Sequence, residues 1–502
     1  MPKRRSQPKT SQANGSSPAR EAVAISLDRF RPLLDDQEYQ ALLVELNSPL
    51  DPSLRVNTLK AESEDLLARL SKLYGYQFRP VPFDPDGFWI EGGDIPPGQT
   101  IEHKLGFYYL QEAASMLPAT LLDFRDVPQP IILDMAASPG GKTTQIGDHT
   151  KDHGFILAND ANWQRIPALR VVLRDYGLMN NAVSHLPGET FGRLLPESFD
   201  AVLIDAPCSM ENLRDRPAHR QKATSAAERK ALATRQEALL AAALSAAKLG
   251  GQVVYSTCSL APEEDEAVVD AVLRRFRPSV HLENAQRYLP VFAPGLDSYL
   301  GNDFAPELRG TLRLWPQLYH TSGFFAAKFI KTSSLPTPAP AAFPSSRFLQ
   351  EFTPLSPVQN YSFVSRIMDL YGFNLQAQLE EQHLELWVRG GQIFAFPAAF
   401  LESFRSVPVV SLGTLVAELA GSQWMPSHEF VSRFGPQFQV GRTILSADLV
   451  TPWVNGQSLP VDLRDHFLEE QVVAVFDPEG RLLGRGKVLK GQLKNLLPRR
   501  LV

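Results

Sequence analysis

The chain has 502 residues, of which 44% are hydrophobic, and a formal net charge of −5. This length suits about three domains with ordinary apolar cores, and the negative balance excludes a protein coated uniformly with basic residues for nucleic acid. The sequence contains no apolar run long enough to cross a bilayer and no signal-peptide core, so we expect a cytoplasmic protein with no membrane partner.

The amino-terminal segment is basic. Residues 1–20 contain five lysines and arginines and no acid. Their other side chains are mostly polar and cannot build a core, so we predict a disordered basic arm. An organelle transit peptide is the alternative, although the segment lacks an amphipathic apolar face.

The next segment, residues 21–120, combines helical and strand-like patterns and predicts a small α+β module. Residues 28–46 and 63–73 have helical periodicity, and residues 53–59 are strand-like. We expect residues 106–113 to begin a helix that leads into the next domain.

Strands and helices alternate from residue 121 to residue 332, which predicts a parallel, doubly wound sheet. The expected strands are residues 131–135, 155–159, 182–186, 201–205, 252–257, 312–315 and 324–330. An alanine-rich run at residues 224–248 predicts a helix between the fourth and fifth of them.

The rest of the chain divides into a linker and two smaller modules. Residues 333–349 are rich in proline, alanine and serine and predict the linker. Residues 350–430 predict an α+β module, and residues 431–502 a β-rich one with a hairpin over 472–484. From Arg481 onward the sequence is basic and free of acids, which indicates either a phosphate-binding surface or only a solvated face.

The chain has two cysteines, Cys208 and Cys258, and each follows the end of a predicted buried strand. The carboxyl edge of an open α/β sheet is where ligands bind, so this pairing favours chemistry. A buried thiol that only packs and a structural disulfide are the alternatives. Zinc is disfavoured because CxxC and HxxxH spacings are absent, and we expect no metal.

A glycine-containing loop of small residues follows the first strand of the sheet, at residues 136–144 (AASPGGKTT). It lets a ligand approach the backbone, and the helix that follows favours an anion. A P-loop would need glycine at position 136, which is Ala136, and GxGxxG is also missing. Asp160 ends the second strand, where an acid can accept hydrogen bonds from ribose hydroxyls, so an adenosine-containing ligand is favoured. A helix cap is the other interpretation of Asp160.

Three motifs in order resemble the RNA (cytosine-5) methyltransferase family: residues 134–143 (DMAASPGGKT), 205–209 (DAPCS) and 255–259 (YSTCS). Residues 54–58 and 109–112 are similar to the amino-terminal module of that family. Residues 484–487 and 493–499 resemble the PUA-like tail of bacterial members that act on small-subunit ribosomal RNA. The similarity spans nearly the whole chain after the basic arm and is weakest over residues 350–430.

The resemblance implies a class I methyltransferase: an α/β, Rossmann-like doubly wound sheet with an RNA-binding α+β module before it and α+β and PUA-like modules after it. It implies S-adenosyl-L-methionine as cofactor. The implied cofactor-binding residues are Ala136, Ala137, Ser138, Pro139, Gly140, Gly141, Lys142, Asp160, Arg165 and Asp205.

The family resemblance also assigns the chemistry. Cys258 matches the nucleophile that adds to carbon 6 of cytosine and makes carbon 5 reactive. Asp205 would hydrogen-bond the ring N3 and amino edge. Cys208, or a base or water that it positions, would take the proton from carbon 5 so that the adduct can break. The cytidine must be flipped out or presented in a loop.

The resulting hypothesis is a cytosine-5 methyltransferase whose RNA partner is 16S ribosomal RNA or the small subunit, with a monomer as the default. Transfer RNA is the alternative substrate. A catalytically weak RNA-binding assembly factor is a second alternative, because two positions depart from the family pattern. Residues 210–212 (MEN) replace Gly-x-Gly, which predicts a stiffer loop, and Pro187 follows the third strand where an acid is common, leaving adenine to the backbone or Glu189.

Overall fold

A computed structural model describes residues 18–214, 223–336, 341–343, 348–420, 423–461, 463 and 466–499. Most of the predicted basic arm and part of the predicted linker lie outside the described residues, and residues 18–20 begin the first helix. Among the described residues, no helix has the length and apolar character required to traverse a bilayer.

The amino-terminal module is a four-stranded antiparallel sheet with helices around it. Its elements are α1 (Pro18–Phe30), α2 (Asp36–Leu46), β1 (Ser53–Val56), α3 (Ser63–Tyr74), β2 (Tyr76–Pro80), β3 (Gly87–Gly92), α4 (Ile101–Lys104), β4 (Tyr108–Leu110) and α5 (Leu117–Thr120). The strand order is β2-β3-β1-β4.

Two predictions for this module need correction. The helix expected over residues 28–46 is broken, because Leu34 is extended and Asp35 caps a new helix through a capping box with Glu38. The helix expected from residue 106 is wrong. Tyr108–Leu110 is instead an edge strand paired with β1, since aromatic residues favour strands and β1 supplies the backbone partners.

The central domain follows the predicted alternation. Its strands are β5 (Ile131–Asp134), β6 (Phe155–Asn159), β7 (Asn181–Ser184), β8 (Phe199–Asp205), β9 (Ala247–Thr257), β10 (Val280–Glu283), β11 (Ser298–Tyr299), β12 (Asn302–Asp303), β13 (Leu312–Leu314) and β14 (Phe324–Lys331). Its helices are α6 (Gly141–His149), α7 (Ile166–Tyr176), α8 (Phe191–Leu194), α9 (Ala226–Ala246), α10 (Glu266–Phe276) and α11 (Pro316–Tyr319). The predicted strands and the alanine-rich helix are confirmed.

The central sheet reverses its strand order beside β5. The order is β10-β14-β9-β8-β5-β6-β7, with β5 through β9 parallel where they pair and β14 antiparallel to β9. Both faces are apolar: Leu133 and Val202 point into one core, and Ile132 and Leu203 point into the other. This is the doubly wound α/β sheet that the alternation predicts, and its reversal point is where a ligand site is expected.

The carboxy-terminal part contains two further sheets. Its helices are α12 (Pro357–Tyr371), α13 (Leu375–Glu381), α14 (Ala398–Ser403), α15 (His428–Phe434) and α16 (Ala447–Val454). Its strands are β15 (Thr353–Pro354), β16 (Leu384–Arg389), β17 (Gln392–Pro397), β18 (Val409–Leu412), β19 (Thr414–Ala420), β20 (Gln423–Pro426), β21 (Arg442–Ile444), β22 (Val472–Phe476), β23 (Leu482–Leu489) and β24 (Gln492–Asn495). The predicted hairpin is present as β22 and β23.

One strand of the carboxy-terminal part belongs to the central sheet. β18 pairs antiparallel with β7, with Val409 opposite Ser184 and Leu412 opposite Ala182. Both Val409 and Leu412 are buried in the central core. The sequence did not predict this strand, and the segment over residues 350–430 is therefore partly built into the central sheet.

The basic carboxy-terminal segment is only partly available for phosphate. Arg481 is buried and pairs with Glu102 at 3.0 Å and with Asp477 at 2.8 Å. Arg485 donates to the carbonyl of Pro426. These two arginines hold modules together, contrary to the predicted binding surface, whereas Lys490 and Lys494 are exposed.

Candidate active site

A cavity of about 960 Å3 opens at the carboxyl edge of the central sheet, where the strand order reverses. Nearly all of the predicted site residues line it: Ala136, Ala137, Ser138, Pro139, Gly141, Lys142, Asp160, Arg165, Asp205, Cys208 and Cys258. Gly140 is not among the lining residues. The structure thus brings the predicted cofactor loop and both thiols into one space.

The loop that starts this cavity depends on two glycines. Gly140 has a φ of +119°, and a Cβ atom there would lie 2.9 Å from Val172 Cγ1. A Cβ atom on Gly141 would lie 2.8 Å from the ring of Tyr109, which comes from the amino-terminal module. Gly140 therefore shapes the turn from outside the cavity, and Gly141 leaves room for the ring of Tyr109.

A buried acid lies beneath the loop. Asp134 ends β5, and its Oδ2 accepts a hydrogen bond from Thr143 Oγ1 at 2.6 Å. Burial raises the pKa of Asp134 to about 7. This carboxyl ties the end of the first strand to the first turn of α6.

Asp160 lies at the end of β6 and faces the same loop. Its Oδ1 accepts from the Asn162 amide at 2.8 Å, and its Oδ2 is 3.2 Å from Arg165 Nη1. Arg165 also donates to the carbonyl of Ser138, so the acid and the loop share one cation. Asn162 caps the helical turn that follows, accepting from the Gln164 amide at 3.0 Å, so the helix-cap interpretation of Asp160 is wrong.

Two aromatic side chains beside Asp160 were not predicted. Trp163 is 58% exposed, and its ring centroid lies 5.3 Å from that of His185. His185 Nδ1 is 2.9 Å from the Asp160 carbonyl, and both rings line the cavity. A tryptophan three residues after the acid was the available signal in the sequence. Glu189, suggested for adenine, does not line the cavity and instead pairs with Arg235 at 2.9 Å.

A lysine joins the loop to the second acid. Lys142 Nζ donates to Asp205 Oδ2 at 2.7 Å, and Asp205 Oδ1 accepts from Ser256 Oγ at 3.1 Å. Burial alone would lower the pKa of Lys142, but the charges of Asp205 and Cys258 outweigh it and raise that pKa. Lys142 therefore stays a cation and links the cofactor loop to Asp205.

The two thiols lie next to each other. Cys208 Sγ is 3.3 Å from Cys258 Sγ, and both cysteines are free and half-buried. The contact with Cys258, burial and the charge of Glu264 raise the pKa of Cys208 well above its ordinary value. Cys208 accordingly keeps its proton at neutral pH. Among the described residues no metal-binding cluster of His, Cys, Asp or Glu is found.

A buried glutamate holds the turn that carries Cys208. Glu264 Oε2 accepts from the Ser209 amide at 2.9 Å and from Gln236 Nε2 at 3.0 Å. Gln236 also donates to the Pro207 carbonyl at 2.9 Å. Sequence reasoning missed both residues, because they approach from α9 and from the turn after β9.

The loop after Cys208 keeps a glycine-like backbone without a glycine. Met210 has a φ of +62°, a left-handed conformation that ordinary residues seldom adopt. Met210 and Asn212 both line the cavity. The departure from Gly-x-Gly therefore adds the side chains of Met210 and Asn212 to the wall beside the thiols.

Known proteins were compared with this chain. The family model for 16S rRNA methyltransferase RsmB/F matches residues 119–330, and that for the N-terminal domain of 16S rRNA methyltransferase RsmF matches residues 27–113. The ribosomal RNA small subunit methyltransferase F of Cronobacter sakazakii is 36% identical over 465 residues, 90% of each chain. Its counterpart in Erwinia tasmaniensis is 32% identical over 482 residues, 95% of this chain and 96% of its own.

A crystal structure of a methyltransferase homolog protein from Pyrococcus horikoshii is 33% identical, with a TM-score of 0.52, and covers 61% of this chain and 99% of its own. The doubly wound sheet and its cavity therefore define a class I methyltransferase, which confirms the predicted fold class. The chain belongs to the 16S rRNA methyltransferase RsmB/F family. The predictions of an enzyme and of the RNA methyltransferase class are confirmed with it.

Proposed function

We propose that this enzyme transfers the methyl group of S-adenosyl-L-methionine to carbon 5 of a cytidine in 16S ribosomal RNA through a covalent cysteine–cytosine adduct. One observation carries the proposal. Two free thiols lie 3.3 Å apart at the sheet edge, in the same cavity as the loop over residues 136–142. The family to which the chain belongs supports ribosomal RNA as the substrate, which in turn supports action in the cytoplasm. That the enzyme acts as a monomer stays a prediction.

The residues on one side of the cavity fit the cofactor. Asp160 is almost fully buried, and its Oδ2 accepts no hydrogen bond within the described residues, so it has capacity for ribose hydroxyls. The turn after β5 leaves its backbone open to the cavity. Residues 136–142 would hold the methionine portion, Asp160 with Arg165 the ribose, and Trp163 and His185 would bound the adenine. Bound there, the cofactor supplies an electrophilic methyl sulfonium.

The other side of the cavity suits a flipped pyrimidine. Cys258 is placed to add to carbon 6 of the ring, forming a carbon–sulfur bond and making carbon 5 nucleophilic. Asp205 accepts a hydrogen bond from the amino group of the ring and is itself fixed by Lys142 and Ser256. These contacts favour cytosine, since its amino group is a donor that a carboxylate accepts.

Release of the product requires the second thiol. After methyl transfer, carbon 5 still carries a proton, and that proton must leave before the carbon–sulfur bond can break. Cys208 lies next to Cys258 and, because its thiol stays protonated, it is placed to hold the water that takes this proton. The raised pKa of Cys208 keeps its thiol neutral at rest.

The substrate is tested with tritiated cofactor. The protein is incubated with free 16S ribosomal RNA, small ribosomal subunits or transfer RNA, and the product is mapped for 5-methylcytidine. We expect label at a single cytidine in the ribosomal substrate. Label only in transfer RNA would overturn the substrate, and no label in any of the three would favour an RNA-binding assembly factor.

The covalent step has its own test. Cys208→Ser should leave RNA attached to the protein, because the adduct forms but resolves slowly. The complex would migrate as an SDS-stable band that nuclease removes. Wild-type enzyme under the same conditions is the control, and a Cys208→Ser enzyme with normal turnover and no band would contradict the assigned role.

A further inference from the structure

Two glutamates lie just beyond the two thiols and share the same pair of arginines. Glu211 follows Cys208 in the sequence, and Glu263 follows Cys258. Arg29 contacts Glu211 at 3.3 Å and Glu263 at 2.6 Å. Arg229 contacts them at 3.4 Å and 3.7 Å. We call these four residues the Arg–Glu cluster, and it joins the two thiol loops to α1 and α9.

The Arg–Glu cluster is largely shielded from solvent. The Glu211 side chain is 2% exposed and that of Arg29 is 17% exposed. Burial raises the pKa of Glu211, and the two arginines oppose that rise. Two cations balance two anions here, so removing one partner leaves a buried charge unpaired, which is costly. The small stabilisation that exposed ion pairs usually give does not apply to this shielded cluster.

The cluster fixes a segment whose backbone is strained. Met210 and Leu213, on either side of Glu211 in the loop, have φ values of +62° and +65°. Such conformations persist only where the surroundings enforce them. The Glu211 carbonyl also accepts from the Leu260 amide at 2.9 Å, so a second contact ties this loop to the one that carries Cys258.

The segment that carries Glu263 also contacts the Cys208 loop. Glu264, the next residue, accepts from the Ser209 amide at 2.9 Å. The Glu264 carboxylate therefore holds the Cys208 loop, the Glu211 carbonyl holds the Cys258 loop, and Arg29 and Arg229 span both. Arg29 reaches this position from the last turn of α1, far from both motifs in the sequence.

The geometry points to Arg29 and Arg229 as positioning residues that hold Cys208 and Cys258 at their working separation. The inference rests on the proposed function, since it concerns the step in which the adduct is resolved. Loosening the cluster lets the thiols separate, so proton removal from carbon 5 slows while the cofactor side is untouched. The amino-terminal helix thereby takes part in the release of product without touching the substrate.

The first test measures turnover of full-length Arg29→Met. We expect kcat to fall about 10- to 100-fold, as displacement of a reacting group by about 1 Å does, with the KM for cofactor unchanged and an RNA–protein adduct accumulating. Arg29→Lys, which keeps the charge, should recover part of the loss. Arg31→Met is the matched control, because Arg31 pairs with Asp36 on the surface, and it should behave as wild type.

A second measurement does not need RNA. Mild oxidation with diamide joins Cys208 and Cys258: each thiol loses a hydrogen, a sulfur–sulfur bond forms, and diamide takes up both hydrogens. Mass spectrometry follows the rate. The bond should form several-fold more slowly in Arg29→Met than in wild type or Arg31→Met, and an equal rate would overturn the inference even if methyl transfer fails in every variant.

The remaining outcomes also test whether the Arg–Glu cluster positions the thiols. Should Arg29→Met fail to fold, Glu263→Gln replaces it, because Glu263 is the most exposed member of the cluster and its amide keeps the shape. Normal turnover without adduct in the folded variant would overturn the positioning role. A wild-type enzyme that methylates no RNA would overturn the proposed function instead, while the oxidation rates still report on the cluster.

Discussion

The two halves of the cavity are built in different ways. The cofactor half comes mostly from one stretch, residues 134–165, in which a strand, a loop, a helix and a second strand follow each other. The target-base half combines residues 205–212 and Cys258 with supports as distant in sequence as Arg29. Binding a cofactor thus needs a local unit, whereas handling a base with two thiols requires most of the chain to be folded.

Removing the nucleophile should give the largest difference between the two halves of the cavity. Cys258→Ala leaves the loop over residues 136–142 intact, so cofactor affinity should not change, while methyl transfer should fall by at least about 10³-fold. Tritium incorporation and calorimetry measure the two quantities. Turnover close to wild type would remove Cys258 from its assigned role.

The buried acid beneath the cofactor half predicts a pH effect on stability. The pKa of Asp134 is raised to about 7 in the folded protein from about 4 in an unfolded chain. The neutral carboxyl stabilises the fold fully below about pH 4, and that contribution is lost as pH rises to about 7. Asp134→Asn, which is always neutral and can still accept from Thr143, should become more stable relative to wild type by about 4 kcal/mol across this window.

Urea unfolding of Asp134→Asn and wild type at several values between about pH 4 and about pH 8 measures that gain. The exposed Asp126→Asn is the control and should leave the free energy of unfolding unchanged throughout. A stability difference between Asp134→Asn and wild type that does not vary with pH would contradict the buried-acid interpretation.

Replacing Asp160, the acid assigned to the ribose, should change the affinity for cofactor and not that for RNA. Asp160→Asn removes the charge that accepts the hydroxyls, so cofactor affinity should fall about 10- to 100-fold, or about 1.4–2.8 kcal/mol. RNA affinity should not change. Glu189→Gln is the control, because Glu189 also follows a neighbouring strand but pairs with Arg235. An equal loss in both variants would mean that Asp160 has no special place in the cofactor half.

The smallest effect is expected in the target-base loop. Met210→Gly relieves a left-handed backbone that costs about 1–2 kcal/mol but frees the unfolded chain by about as much, so the free energy of unfolding should change by less than about 1 kcal/mol. The looser loop should raise the KM for RNA and leave cofactor affinity alone. Met210→Val is the opposite control, because a branched side chain tolerates this conformation poorly.

The sequence predicted the cofactor half better than the target-base half for a physical reason. Short apolar runs between turn residues identify parallel strands, and the glycine loop and Asp160 follow directly from two of them. Cys208 and Cys258 were located in the same way. Glu264, Gln236 and the Arg–Glu cluster give no such signal, because only the folded chain brings them together.

The same limit explains the errors in the fold. Tyr108–Leu110 is a strand because β1 offers it an edge, and nothing local encodes that partner. β18 is short, and its partner β7 lies far back in the sequence. Both depend on tertiary pairing with a partner strand that the local sequence does not specify.

The strand β18 has a consequence for biosynthesis. Residues 121–332 leave the ribosome well before residues 409–412, so the nascent sheet exists for a time with the outer edge of β7 unpaired. Translation of the later segment supplies the missing strand and ends this exposure. Truncated products that stop before β18 would keep the β7 edge unpaired, so a premature stop codon between residues 333 and 408 would yield aggregates instead of a smaller working enzyme.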